Sequence, residues 1–122
     1  MQIHNDLKTR FYIVMMERVM EMDKEFKVFI DNLCRSGLGK EVYLVGSRAR
    51  GDNKPYSDYD IVVVIDNNQD HIDVAEKIQL LKKSKLPIDV IVIKENDVED
   101  SIYNEMMKYR KSLCKHHSAI QR

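Results

Sequence analysis

Glu41-Val-Tyr-Leu-Val-Gly46-Ser47-Arg48-Ala49-Arg50-Gly51, followed after five residues by Ser57-Asp58-Tyr59-Asp60-Ile-Val-Val-Val-Ile65, is the stretch on which the reading of this chain turns. A strand-type apolar run ends on a glycine, and a glycine there lets the backbone turn tightly and approach a ligand closely. The residues after it can open a helix whose free N–H groups point at an anion. Ser47 adds a hydroxyl donor, and Arg48 and Arg50 add permanent positive charge, so Gly46, Ser47, Arg48 and Arg50 read as a phosphate seat. Asp58 and Asp60 stand two apart at the start of the next apolar run. The period of two directs both carboxylates to one face, with α-carbons roughly 6–7 Å apart. Two anions so close repel, and the arrangement becomes favourable with a hard cation between them. Mg²⁺ is suited to the place, since it takes a few carboxylate oxygens together with waters and substrate phosphates.

Outward from this stretch, three Val- and Ile-rich runs, 41–46, 59–65 and 87–94, predict the strands of one sheet. The last begins Pro87-Ile88-Asp89-Val90, and an ionised Asp89 in so apolar a run calls for a metal or a nearby site as its partner. Between the second and third runs, residues 69–83 place Val74, Ala75, Ile78 and Leu81 on one helical face. Strand, helix, strand spacing of this kind predicts a crossover and an at least partly parallel sheet. Upstream, Leu7, Phe11, Val14, Met15, Val19, Met22, Phe26, Phe29, Ile30 and Leu33 recur at helical spacing, with Asn5 as a cap and Ser36-Gly37 and Gly39 as the stop. This stripe reads as a face for core or subunit packing. A final helix is expected over residues 98–114, ending in a basic segment with Lys108, Arg110, Lys111, Lys115, His116, His117 and Arg122 that suits a solvated helix end.

The order strand, Gly46-Ser47, Asp58-x-Asp60 at a strand start, helix, strand with Asp89 describes a two-metal phosphoryl-transfer site. On these residues the chain resembles the nucleotidyltransferase superfamily with the DNA polymerase beta fold. It most resembles the minimal nucleotidyltransferases found beside HEPN-domain partners. The resemblance spans about residues 41–94, including the flanking Arg48-Ala49-Arg50-Gly51 and Ser57. It implies an α/β (α+β) fold with a small mixed sheet flanked by helices, preceded here by a long N-terminal helix. It further implies that Gly46 and Ser47 hold nucleotide phosphates, that Asp58 and Asp60 bind two Mg²⁺ ions, and that Asp89 is the third carboxylate, which binds one metal and activates the acceptor hydroxyl. ATP is the nucleotide by that resemblance. The acceptor it implies is a tyrosine of a HEPN toxin, silenced by transfer of AMP, which would make this protein the antitoxin. Two other functions fit the same residues: a nucleotide-binding antitoxin that acts by occlusion, and a transferase acting on a small hydroxylated molecule, as antibiotic-modifying relatives do.

Composition bounds these readings. The 122 residues are 43% hydrophobic and 33% charged, with 20 Lys plus Arg balancing 20 Asp plus Glu, so the chain has no global basic field for coating nucleic acid. A chain of this length buries somewhat less than about 70% of its unfolded surface, enough for one domain over 1–122. An acceptor is therefore expected to be presented by another protein, or by a composite homodimer pocket. Two cysteines, Cys34 and Cys114, lack metal-ligand spacing and are expected as reduced thiols of a cytoplasmic protein, with no membrane span and no secretory signal. His4, His71, His116 and His117 do not pair as zinc ligands, and the Arg110…His116 spacing does not make a HEPN nuclease of a chain whose middle is a sheet. Tyr56 can stack on a base or on its own loop.

Overall fold

The computed structural model describes residues 7–82 and 85–114. Helix α1 runs unbroken over Leu7–Ser36, as the apolar stripe predicts. It stops where Gly37 takes a positive φ of 73°, while the Ser36 hydroxyl donates to Leu33 O (2.7 Å) and accepts from Leu38 N (3.1 Å). The proposed cap, Asn5, lies outside the described residues.

Strands β1 (Glu41–Val45), β2 (Tyr59–Ile65) and β3 (Ile88–Lys94) fall on the three Val/Ile runs, with the five-residue helix α2 (Gly46–Arg50) after β1 and helix α3 (His71–Leu81) between β2 and β3. The sheet is mixed, in the order β3-β2-β1-β4. β2 and β3 are parallel, as the α3 crossover requires, and β1 is antiparallel to β2. Alternation sorts β2 between two layers. Tyr59, Ile61, Val63 and Ile65 face the cluster formed with Phe29, Ile30 and Leu33 of α1 and Val74 and Ile78 of α3. Val62 and Val64 face the opposite cluster, with Val45, Ile93 and Met107.

The C-terminal part departs from the expected helix over 98–114. After a 3-10 turn at Glu95–Asp97, helix α4 covers only Ser101–Met107, started by the Asp100 carboxylate accepting from Ile102 N. The chain then turns, and β4 (Lys111–Ser112) pairs antiparallel with Tyr43 and Leu44 on the open edge of β1. A continued helix would satisfy its own backbone but leave the edge of β1 unpaired, whereas β4 fills that edge, so tertiary pairing overrides local propensity. Of the basic C-terminal segment, Lys108, Arg110 and Lys111 belong to this turn and strand, and residues 115–122 lie outside the described residues.

A second correction concerns the cysteines. Cys34 and Cys114 are joined in a disulfide, with α-carbons 5.6 Å apart and 80 positions between them in sequence. The return of the chain through β4, fixed by Leu113 N donating to Val42 O (2.9 Å), carries Cys114 to the end of α1. Sequence spacing says nothing of such a meeting. The disulfide also removes the support that reduced thiols lent to a cytoplasmic location; among the described residues, no helix is long and apolar enough to cross a membrane.

Candidate active site

The layer that contains Val62 and Val64 is covered by the short α4 only over its far part. At the near end the same face of β2 carries Asp60, and the neighbouring strand carries Asp89 in direct register with it. Asp58 precedes β2 by one residue and by alternation belongs to the same side. Asp58 and Asp89 are exposed and Asp60 is half-buried. The structure therefore brings together the three carboxylates singled out in the sequence, on an open sheet end rather than inside a core.

The Asp60 carboxyl is pushed above the usual carboxylate range. Burial is the main cause, followed by the negative charges of Asp89 and Asp58 and a hydrogen bond with Asp89, while Arg50 acts in the opposite direction. This is the electrostatics of carboxylates crowded without a compensating cation. Among the described residues, no group of three or more His, Cys, Asp or Glu side chains closes into a preformed metal-ligand set. The donor chemistry nonetheless fits a hard divalent ion. Asp60 and Asp89 converge, and the exposed Asp58 carboxylate makes no ion pair among the described residues that a metal would have to break.

Gly46 closes the site from the other strand. Its φ is 73°, and its neighbour Val45 is paired with Asp60. A Cβ on Gly46 would overlap the Asp60 carboxylate, so only glycine permits this turn and this approach together. α2 begins at Gly46 with no side chain capping its first N–H groups, and among the described residues no hydrogen bond engages the Ser47 hydroxyl. Gly51, at φ 89°, ends α2 by donating to Ser47 O (2.8 Å). Unfilled donors thus stand beside the carboxylates, so the turn can offer hydrogen bonds to an anion and the aspartates can offer oxygens to a hard cation.

The two arginines part company. Arg50 is exposed, among the described residues pairs only with Asp52 (3.2 Å), and its charge reaches Asp60. Arg48 is largely buried: its guanidinium donates to Ser57 O (3.1 and 3.0 Å) and to Pro55 O (3.1 Å) and lies 3.9 Å from the Tyr59 ring centroid. It is occupied in holding the 52–57 loop that delivers Asp58, which leaves Arg50 as the cation of the pair open to phosphate. The Tyr59 hydroxyl hydrogen-bonds Asp23 of α1, and its ring stacks on Phe26 at 4.1 Å. Burial, then the Asp23 hydrogen bond, push the Tyr59 phenol up to about 12. Sequence reading missed Asp23 and Phe26 as supports of the site, because α1 meets it only in three dimensions. Tyr56 is exposed on the loop.

A mixed sheet with a Gly-Ser turn facing an Asp-x-Asp strand start and a third aspartate in register defines a nucleotide-dependent phosphoryl- or nucleotidyl-transfer protein. Comparison narrows the class. The family model of the nucleotidyltransferase domain matches residues 26–113, and the chain belongs to that family. Its fold is similar to the crystal structure of a Sulfolobus solfataricus protein assigned as a nucleotidyltransferase, with a TM-score of 0.57 and 26% identity over 80% of this chain and 84% of that one. A search of curated proteins matches none. Domains of this family generally use a nucleoside triphosphate and a divalent metal.

Proposed function

We propose that this protein transfers a nucleoside monophosphate, AMP in the first instance, from a nucleoside triphosphate to a hydroxyl of a partner protein, breaking the α–β phosphoanhydride bond and releasing pyrophosphate. The observation that carries the reading is the Gly46–Asp60 approach beside Asp58 and Asp89: a glycine required by geometry, at the mouth of a carboxylate set that favours a cation. Asp58, Asp60 and Asp89 would hold Mg²⁺, which supplies charge neutralisation at the α-phosphate and a lowered acceptor pKa. Gly46 and Ser47 bind the triphosphate, Arg50 offsets its charge, and Asp89 at the exposed edge receives the acceptor proton. The acceptor is met at an open sheet end, which suits a hydroxyl carried on another macromolecule. A tyrosine of a HEPN toxin is the acceptor we favour, with this protein as antitoxin, on the strength of the motif resemblance. The retained carboxylate set favours catalysis over silencing by occlusion alone.

The test is incubation with α-labelled ATP and Mg²⁺, with and without the product of the adjacent gene, beside an Asp58→Asn control. Label on the partner that is lost in the control supports the reading. No label on any protein, with nucleotide still bound, refutes the protein acceptor and points to a small molecule.

A further inference from the structure

Tyr59 stands between Asp58 and Asp60, and alternation turns it to the other side of the sheet, into the core shared with α1. Its side chain is held at every part. Phe26 of α1 stacks on the ring at 4.1 Å, and the Arg48 guanidinium lies 3.9 Å from the same centroid. Two groups at contact range cannot share one face of a ring, so Phe26 and Arg48 clamp it from opposite sides. The hydroxyl donates to the Asp23 carboxylate of α1, and the backbone N–H donates to Pro87 O (2.8 Å).

Packing alone does not call for this hydroxyl. Ile61, Val63 and Ile65, the other β2 residues on that face, fill the core with hydrocarbon, and a phenylalanine at 59 would do the same. Tyr59 is only 3% exposed, and a phenol buried that far costs free energy unless its O–H is paired. What the pair adds over phenylalanine is direction, since a hydrogen bond fixes both a distance and an angle and dispersion contacts do not. The same carboxylate also reaches the other side of Asp58. It stands 3.9 Å from Nη1 of Arg48, whose Nε and Nη2 hold Pro55 O and Ser57 O in the loop that leads to Asp58. Asp23 thus meets both the residue after Asp58 and the clamp on the loop before it.

We propose that Asp23 and Tyr59 are positioning residues: from the far side of the sheet, their hydrogen bond sets the direction in which the start of β2 presents Asp58 and Asp60, and with it the affinity of these carboxylates for a divalent cation. The inference rests on the cation-binding reading of Asp58, Asp60 and Asp89 above. Gly46 and Asp89 already confine the Asp60 carboxyl. No hydrogen bond or ion pair among the described residues holds the Asp58 side chain, so the brace acts chiefly on that ligand. Groups that orient metal ligands from outside the coordination sphere typically change affinity 10–100-fold, and one acting through the backbone belongs at about tenfold.

The test is titration of Mn²⁺, which takes the same oxygen ligands as Mg²⁺, into the nucleotide-free full chain, with free ion read by its EPR signal and metal-free melting curves run beside it. Tyr59→Phe and Asp23→Ala should each weaken Mn²⁺ binding about tenfold. The double variant should be no weaker than either single one, because all three lack the same bond. Asp23→Asn keeps an oxygen that accepts from the phenol and should return most of the lost affinity. A lowered Tm with Mn²⁺ affinity unchanged makes the pair purely structural and overturns the proposal, as do additive losses in the double variant or an Asp23→Asn as weak as Asp23→Ala. Mn²⁺ binding that is absent, or indifferent to Asp60→Asn, refutes the cation site and the proposal with it. Failure of label transfer with the expected Mn²⁺ results refutes the reaction alone and leaves the brace standing.

Discussion

Replacing Arg48 separates the two roles open to an arginine beside a phosphate seat. Its guanidinium, 13% exposed, gives charged hydrogen bonds to two carbonyls, Ser57 O and Pro55 O, and lies over the Tyr59 ring. A hydrogen bond from a charged donor is worth about 1.5–3 kcal/mol. Taking the low end for each carbonyl, because water can replace part of the loss at this margin, gives about 3 kcal/mol. The ring contact adds about 1 kcal/mol. The Asp23 carboxylate, 3.9 Å away and half exposed, adds close to nothing after solvent screening. Arg48→Ala should therefore destabilise the protein by about 3–4 kcal/mol, a fall in Tm on the order of 10 °C for a domain of this size. Arg48→Lys should recover less than half of this, since an ammonium cannot fork two carbonyls and stack on a ring together.

The assay is a thermal melt beside steady-state kinetics. Arg48→Ala should lower kcat, because the loop that places Asp58 loosens, while KM for the nucleotide shifts by less than about threefold. Arg50→Ala should do the reverse: an unchanged Tm, and a KM raised roughly tenfold through loss of a charge facing the phosphates. An Arg48→Ala protein that melts within about 2 °C of wild type yet loses nucleotide affinity tenfold would refute the reasoning, and would return Arg48 to the phosphate seat.

Asp60→Asn should raise the Tm of the metal-free protein while cutting turnover by about a hundredfold or more, the scale on which a transition-state stabilising group acts. The folded-state pKa of Asp60 is raised, so its contribution to stability is present below the ordinary carboxylate value of 3.8 and lost as pH rises through the raised one. Wild type at neutral pH carries that loss, and the neutral amide of the Asp60→Asn protein does not. For the same reason Mg²⁺ should raise the Tm of wild type and not of Asp60→Asn, read by calorimetry without any turnover. Gly46→Ala should cost about 1–2 kcal/mol from the left-handed backbone alone and should abolish transfer by displacing the Asp60 carboxylate, so equal melting with normal kinetics counts against the close approach. Reducing the Cys34–Cys114 disulfide, which closes a loop of 80 positions, should lower stability by about 3–4 kcal/mol; melting that is indifferent to reductant would show the bond is not formed in solution.

What could be read in the sequence is what depends on neighbours along the chain. The Val- and Ile-rich run at residues 59–65 coincides with β2, the crossover gave the parallel β2–β3 pair, and Asp60 and Asp89 share one face because they stand in register on adjoining strands, with Gly46 just after β1 and Asp58 just before β2 at the same end. The failures all involve contacts between segments distant in sequence or set by the fold of a loop. The turn at residues 108–110 is basic and helix-compatible, so nothing local predicts that Lys111 and Ser112 leave the helix to pair with β1. That pairing in turn brings Cys114 to Cys34. Arg48 and Arg50 are indistinguishable by type and spacing, and only the fold of the 52–57 loop over Arg48 separates a structural cation from a free one.

The same short α4 that defeated the helix prediction is what leaves the site open. Seven residues of helix cover Val62, Val64 and Ile93 through Met107, and stop short of Asp60 and Asp89 on the same face. A helix carried along that face would add burial over these carboxylates, and burial is already the chief cause of the upward shift at Asp60. Deeper cover would hold them protonated and useless as cation ligands. At full exposure they would lose the crowding that favours a cation. The sheet end keeps Asp60 half-buried against Gly46 and leaves Asp58 and Asp89 in solvent. This is a compromise between the two demands: Asp60 is held against Gly46 and hydrogen-bonded to Asp89, while Asp58 and Asp89 stay open to solvent, where the proposed reaction would need them.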